Sequence, residues 1–145
     1  MIATPELRRD VLAVLQTYFD AIAARDLSAV LPLFADDPDL VLFGSGADER
    51  RVGRAGLALQ TERDWSQSDS MSLAITWSSV SSAGQVAWAS TELTVSVRAD
   101  GVELSLPARF SVVLEQRGDR WLIVQGHFSL PASEQSEGES FPIHG

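Results

Sequence analysis

The sequence predicts an α+β domain in which N-terminal helices pack on one face of a strongly curved antiparallel β-sheet. Apolar residues recur at helical spacing in the first part of the chain, and from Met71 onward they alternate with polar residues. The clearest strand signal is the hairpin from Phe110 to Pro131, where two β-forming runs flank a polar turn that contains Gly118. Helices followed by a run of strands are typical of a sheet with its helices on one side.

Three helices are expected before the strands. The first begins after Thr4, a residue type that caps helices, and it has Pro5 at its first position. A shorter second helix follows Asp26, and Pro32 should kink or shorten it. A third is predicted from about Arg54 to about Ser66. The stripe of the first helix consists of Leu7, Val11, Val14, Leu15, Tyr18, Phe19 and Ile22.

A short strand is expected over 40–43, and the stretch from Asp48 to Arg54 is interpreted as a charged connector. Long strands are predicted from Met71, over 86–97, over 102–115 and over 121–130. Pro107 interrupts one of them, and because proline cannot donate to a strand ladder, it predicts a bulge or an edge position. We therefore expect one domain over 1–131, followed by a loose acidic tail over 132–145.

Composition limits the function classes. The chain has 145 residues, is 45% hydrophobic and carries a formal net charge of −9, which argues against nucleic acid as a partner. Its apolar runs are shorter than a membrane span, and its N-terminus has no secretory pattern, so we expect a cytoplasmic protein without a membrane partner. With no cysteine and 2 histidines, neither a metal site nor another cofactor is expected.

The order of these elements resembles the nuclear transport factor 2-like (NTF2-like) superfamily, and within it the SnoaL-like group. The stretches that carry the resemblance are the opening helix, Arg25–Leu27, Leu33–Phe34, Ala108–Ser111, Gly118–Trp121 and His127–Ser129. The resemblance implies a cone of three helices that closes over a bent sheet, with a pocket at its open end and a homodimer through the outer sheet face. Its members include polyketide cyclases, ketosteroid isomerases, dehydratases and a kinase association domain, so fold does not settle function.

Glu92 is the first candidate catalytic residue. Strand alternation places it on one face with Trp88, Ser90 and Thr94. If that face looks into the cone, Glu92 is a carboxylate beside an indole, a setting that suits a general base. The alternative, which the sequence favours, is a cross-strand ion pair with Arg109, because the Asp100–Gly101 turn sets the two residues opposite each other.

His127 is the second candidate catalytic residue, because histidine titrates near neutral pH. It shares a strand face with Gln125 and Ser129. The opposite face carries Leu122, Val124, Phe128 and Leu130 and is the better candidate for the cone interior. The sequence therefore favours an interface position for His127 over a catalytic one.

An aromatic pocket is the leading functional prediction. The candidate lining residues are Tyr18, Phe43, Trp65, Trp77, Trp88, Arg109 and Phe128. Aromatic walls with few polar groups suit a small hydrophobic or aromatic ligand. Two functions remain open at this point: a cofactor-independent isomerase, cyclase or dehydratase that uses acid–base chemistry, and a non-catalytic binding or oligomerisation module.

Overall fold

The computed structural model describes residues 1–143, in which helices at the N-terminal end pack on a six-stranded sheet. The α+β fold class predicted from the sequence is confirmed. His144 and Gly145, the last residues of the predicted tail, lie outside the described residues. In chain order the elements are α1 (Pro5–Ala24), α2 (Leu27–Val30), a 3-10 turn (Leu31–Leu33), β1 (Val41–Phe43), β2 (Arg50–Val52), α3 (Gly53–Ser66), β3 (Ser70–Ala83), β4 (Val86–Ala99), β5 (Val102–Arg117) and β6 (Arg120–Ser129).

Helix α1 begins and ends as the sequence indicates. The Thr4 hydroxyl accepts a hydrogen bond from the Leu7 amide (3.2 Å), which satisfies a backbone donor that the first turn leaves free. Arg25 ends the helix in the left-handed conformation (φ 56°), and its N–H bonds back to the last turn. The buried face of α1 includes Val11, Leu15 and Phe19, which pack against the inner face of the sheet.

The sheet is mixed. Its strand order is β2-β1-β6-β5-β4-β3; the pairing of β1 with β6 is parallel and the other pairings are antiparallel. Strand β2 lies in the segment that the sequence had suggested was a connector: Arg51 pairs with Leu42 of β1. A three-residue strand with two arginines has no apolar alternation, so sequence pattern alone could not reveal it.

Pro107 produces no bulge. It lies opposite Thr94 in an unbroken β4–β5 register, and β6 pairs with β5 only from Arg109 onward. Proline is thus accommodated where β5 has a neighbour on one side only, which is the edge position that its missing N–H requires.

Two irregularities occur elsewhere in the sheet. One lies on β3 between Ile75 and Trp77, and the other on β6, where Val113 pairs with Gln125 but Leu114 pairs with Ile123. The second inserts Val124 and shifts the phase of β6, because an extra residue moves all following side chains to the other face. Ile123 is therefore completely buried, whereas Leu122 pairs with Glu115 and is only partly buried.

Candidate functional site

A cavity of about 290 Å³ lies between α1, α3 and the inner face of the sheet. Most of its wall is apolar, as in sites that bind small organic molecules. Ring and aliphatic side chains from all three layers contribute to it, among them Phe19, Ile22, Leu57, Val95, Phe110 and Phe128.

The polar groups of the cavity are concentrated on α3 and the segment before it. Gln60 is their centre: its Nε2 donates to Glu49 Oε1 (2.6 Å) and to Asp64 Oδ1 (2.8 Å), and its Oε1 accepts from Arg51 Nε (3.0 Å). One amide therefore holds two carboxylates and one guanidinium in fixed positions. The four residues line one side of the cavity.

Glu49 anchors the loop between β1 and β2. Its carboxylate accepts a hydrogen bond from the Gly46 amide, and its backbone carbonyl accepts one from the Gly44 amide (2.8 Å). Arg63 Nη2 lies 3.8 Å from Glu49 Oε1, and the Glu49 side chain is only 12% exposed. Glu49 therefore has four partners: Gly44 through its backbone, and Gly46, Arg63 and Gln60 through its carboxylate.

Asp64 lies at the cavity, and its environment disfavours the charged form. Burial raises the pKa of its carboxyl, and the nearby charge of Glu49 raises it further. The hydrogen bond from Gln60 and the charges of Arg63 and Arg51 act in the opposite direction but do not cancel these effects. Asp64 is therefore the cavity carboxyl most suited to exchange a proton with a ligand.

Tyr18 stands on α1 and also lines the cavity. Its ring meets Phe34 edge to face, with centroids 5.0 Å apart. Burial, together with the charge of Asp64, raises the pKa of its hydroxyl well above the ordinary value of 10.0, so that it keeps its proton. Within residues 1–143 no hydrogen bond engages this hydroxyl, which leaves it available to a ligand.

Three of the sequence-predicted pocket residues line this cavity: Tyr18, Phe43 and Phe128. Phe128 points inward from β6, opposite Phe110 of β5. Phe43 borders the cavity from the end of β1, and its ring also lies 5.3 Å from the ring of His127.

Trp77, Trp88, Glu92 and Arg109 lie on the outer sheet face, away from the cavity. Trp77 is 53% exposed and Trp88 is 39% exposed, while Glu92 and Arg109 are also exposed. The sequence predicted that Glu92 and Trp88 share one strand face, and they do. This face is the outer face of the sheet, so neither residue reaches the cavity. The intervening residues of β4 are the buried ones, because α1 packs over their side: Ala87, Ala89, Thr91, Leu93 and Val95.

His127 and Trp65 also lie outside the cavity wall. His127 is exposed on the outer face, opposite Ser111 of β5. Trp65 is partly buried at the end of α3, where its Nε1 donates to the Ile22 carbonyl (3.1 Å) and its own carbonyl accepts from Arg25 Nη1 (2.7 Å). Trp65 therefore joins α3 to α1.

The polar residues Glu49, Gln60 and Asp64, which line the cavity, were not among the site residues predicted from the sequence. A signal for Asp64 was present: Leu57, Thr61 and Asp64 follow one another at helical spacing, and the first two are buried. A carboxylate at the next position of a buried helical stripe points toward the interior, although a charged residue is usually expected at the surface.

Two further observations concern ions and membranes. Residues 1–143 contain no cluster of three or more histidine, aspartate or glutamate side chains that could hold a metal ion. In the same part of the chain, no helix has the length and apolarity needed to cross a bilayer.

A helical cover, a mixed sheet and an interior cavity with its polar groups on one helix define a cone-shaped α+β protein of the NTF2-like class. The sequence profile of the SnoaL-like domain matches residues 11–133, and the chain belongs to this family. None of the curated proteins matches it in sequence.

Solved structures agree with this assignment. An NTF2-like superfamily protein from Salmonella enterica has a TM-score of 0.82 and 19% identity, over 96% of this chain and 100% of that one. A candidate dehydratase of the NTF2-like family from Streptomyces avermitilis has a TM-score of 0.79 and 15% identity, over 90% and 100%. A candidate association domain of a calcium/calmodulin-dependent protein kinase II from Xanthomonas campestris has a TM-score of 0.76 and 25% identity, over 86% and 88%.

Proposed function

We propose that the cavity binds a small ring-bearing organic molecule and that the protein performs acid–base chemistry on it, with Asp64 as the proton-exchanging group. The observation that carries this proposal is the bond pattern of Gln60, which fixes one oxygen of Asp64 and leaves the other without a hydrogen-bond partner in the described structure. A positioned carboxyl with a raised pKa, in an otherwise apolar cavity, is suited to general acid–base catalysis.

Tyr18 supplies the second group. Because its hydroxyl stays protonated, it can donate a hydrogen bond to a ligand oxygen on which negative charge develops when Asp64 removes a proton nearby. Asp64 then returns that proton to another position of the ligand, which isomerises it without net gain or loss of atoms. A reaction without a cofactor stays a prediction. A cytoplasmic location also stays a prediction.

Proton exchange in D₂O tests the enzymatic part of the proposal. A cyclic ketone such as 1-indanone, incubated with the protein, should exchange the hydrogens next to its carbonyl for deuterium faster than in buffer, as followed by NMR. Asp64→Asn should lower the protein-dependent rate by roughly 10²–10⁴-fold, the usual range for loss of a general base. Exchange that persists in Asp64→Asn would show that Asp64 is not the base.

The matched control is Asp48→Asn. Asp48 is an exposed carboxylate that pairs with Arg63 (2.7 Å) and does not line the cavity. Its substitution should leave the exchange rate unchanged. A protein that binds the ketone without accelerating exchange would be a binding module and not an enzyme of this class.

A second proposal is homodimerisation through the outer sheet face. Trp77 and Trp88 are large apolar side chains exposed on the same face as Arg109 and His127, and patches of this kind mark protein interfaces. Sedimentation velocity at micromolar concentration should give a dimer, and Trp77→Lys with Trp88→Lys should give a monomer. Leu59→Lys, at a residue of α3 that is 56% exposed, is the control and should leave the dimer intact.

A further inference from the structure

The hydrogen-bonding capacity of Gln60, at the centre of the polar wall, is used within the protein. Gln60 donates both amide hydrogens, one to Glu49 and one to Asp64, and its oxygen accepts from Arg51. A primary amide has two donors and one acceptor oxygen, so Gln60 has no further hydrogen to offer a ligand. Its role is to position the carboxylates.

Glu49 is engaged in the same way. One of its oxygens accepts from Gln60 and lies 3.8 Å from Arg63 Nη2, and the other accepts from the Gly46 amide. A ligand group would have to displace one of these contacts to bind Glu49. The negative charge of Glu49 nevertheless remains next to the cavity.

The cavity also has polar side-chain atoms that make no hydrogen bond in the described structure. The two that matter most here are the second carboxyl oxygen of Asp64, which accepts, and the Tyr18 hydroxyl, which can both donate and accept; the others are on Ser45, Thr61, Gln67 and the Nη groups of Arg51. A head group that donates a hydrogen bond satisfies the carboxylate. An apolar ligand would cover the free oxygen of Asp64 without giving it a hydrogen bond. The binding free energy would then be reduced by the desolvation penalty of that oxygen.

Charge decides against an anionic head group. A ligand carboxylate at this position would meet Asp64 and Glu49, both acidic, and neither it nor Asp64 could donate a hydrogen bond to the other when both are ionised. Arg51 is the one positive group among the cavity-lining residues of the described structure; its Nε donates to Gln60, and its two Nη groups make no hydrogen bond there. Two carboxylates oppose its single charge.

We infer that the ring-bearing ligand carries, besides the oxygen that accepts a hydrogen bond from Tyr18, an uncharged or cationic group that donates a hydrogen bond to Asp64, that is, a hydroxyl or amino group, and that the cavity rejects a carboxylate at that position. This inference rests on the proposed function, since it specifies the ligand of the same cavity. Asp64 is its specificity-determining residue, and Gln60 positions Asp64.

Four molecules that share one ring system test the inference: indane, 2-indanol, 2-aminoindane and indane-2-carboxylate. Their dissociation constants can be measured at neutral pH by NMR chemical-shift titration of the labelled protein. The alcohol and the amine should bind roughly tenfold more tightly than indane, and the carboxylate more weakly than indane. A carboxylate that binds more tightly than indane would overturn the inference, and loss of that binding in Arg51→Gln would identify Arg51 as its anchor.

Variants separate this inference from the proposed function. Asp64→Asn should remove most of the preference for the amine over indane while leaving the affinity for indane unchanged; Asp48→Asn should leave the order of all four affinities unchanged. A preference for the amine that survives in Asp64→Asn contradicts the inference alone. If none of the four molecules shifts the resonances of cavity residues, ligand binding itself is refuted and the proposed function fails with it.

Discussion

Glu92 and Arg109 stand directly opposite each other on β4 and β5, yet in the described structure no ion pair joins their charged groups. The predicted register is present because the Asp100–Gly101 turn sets it and Pro107 does not disturb it. Both side chains are exposed, and water competes effectively for exposed charges.

We therefore predict a small coupling between these two residues. Glu92→Gln, Arg109→Ala and the double variant should each change the free energy of unfolding by no more than about 0.5 kcal/mol, as is usual for exposed substitutions. A double-mutant cycle by chemical denaturation measures the coupling. A coupling above ~1 kcal/mol would show that the pair forms in solution.

Asp64 should make the protein less stable as the pH rises. Its pKa is raised in the folded state, so the folded protein binds more protons than the unfolded chain at pH values above the ordinary 3.8. Stability is lost as the pH rises from that value through the raised pKa. Asp64→Asn should accordingly melt at the same temperature as the wild type, or higher, at neutral pH, with the difference disappearing below the ordinary pKa.

Asp37 provides the control of opposite sign. Its pKa is lowered, chiefly by the hydrogen bonds from Arg117, so it contributes stability that is present above the ordinary value and is lost as the pH falls through the lowered pKa. Asp37→Asn should melt at a lower temperature at neutral pH. If both variants shift in the same direction, the assignment for Asp64 is wrong.

Gly126→Ala should destabilise the protein by about 1 kcal/mol through overpacking. A Cβ at this position would lie 3.0 Å from Leu42 Cδ2 and 3.3 Å from Phe110 Cε1. Because Phe110 is buried, the tip of Leu42 has to move toward the cavity. Chemical denaturation measures the loss, and the cost should be smaller in a Leu42→Ala background; an equal cost in both backgrounds would contradict this explanation.

Removal of residues 133–145 should change the free energy of unfolding by less than about 0.5 kcal/mol. The backbone hydrogen bonds of the described tail are local, such as Gln135 to Ala132 (3.1 Å) and Ile143 to Phe141 (2.9 Å). Phe141 and Ile143 are exposed. Denaturant melting of the truncated protein checks this, and a truncation that also removes Leu130, which lines the cavity, should show a clear loss.

The fold was largely predictable because its signals are local. The cap at Thr4, the stripe of α1 and the turn at Asp100–Gly101 each act within a few residues, and the structure has them all. Insertion of Val124 into β6 has no such local signal, since Val124 ends an unbroken apolar run over 121–124 in which no alternation can be followed. The predicted interior face of that strand was correct for Phe128 but wrong for Leu122.

The candidate site was less predictable, because it depends on which sheet face α1 covers. Glu92 attracts attention in the sequence as a lone carboxylate among uncharged residues, but strand alternation alone cannot say which face is inside. Asp64 is inconspicuous among the charged residues of α3. Its importance follows from its bond with Gln60 and from the contact of Gln60 with Glu49, which a strand and about two turns of helix separate in sequence.

The polar side of the cavity is built almost entirely by α3 and the short segment before it, while the sheet supplies the apolar floor. Chemistry and architecture are therefore encoded in different parts of the chain. Exchanges at 60, 61 and 64 can change the ligand without touching the strand ladders, so a lineage can acquire new substrates through this one helix at little risk to folding. The same division makes α3 the natural place to graft a designed activity.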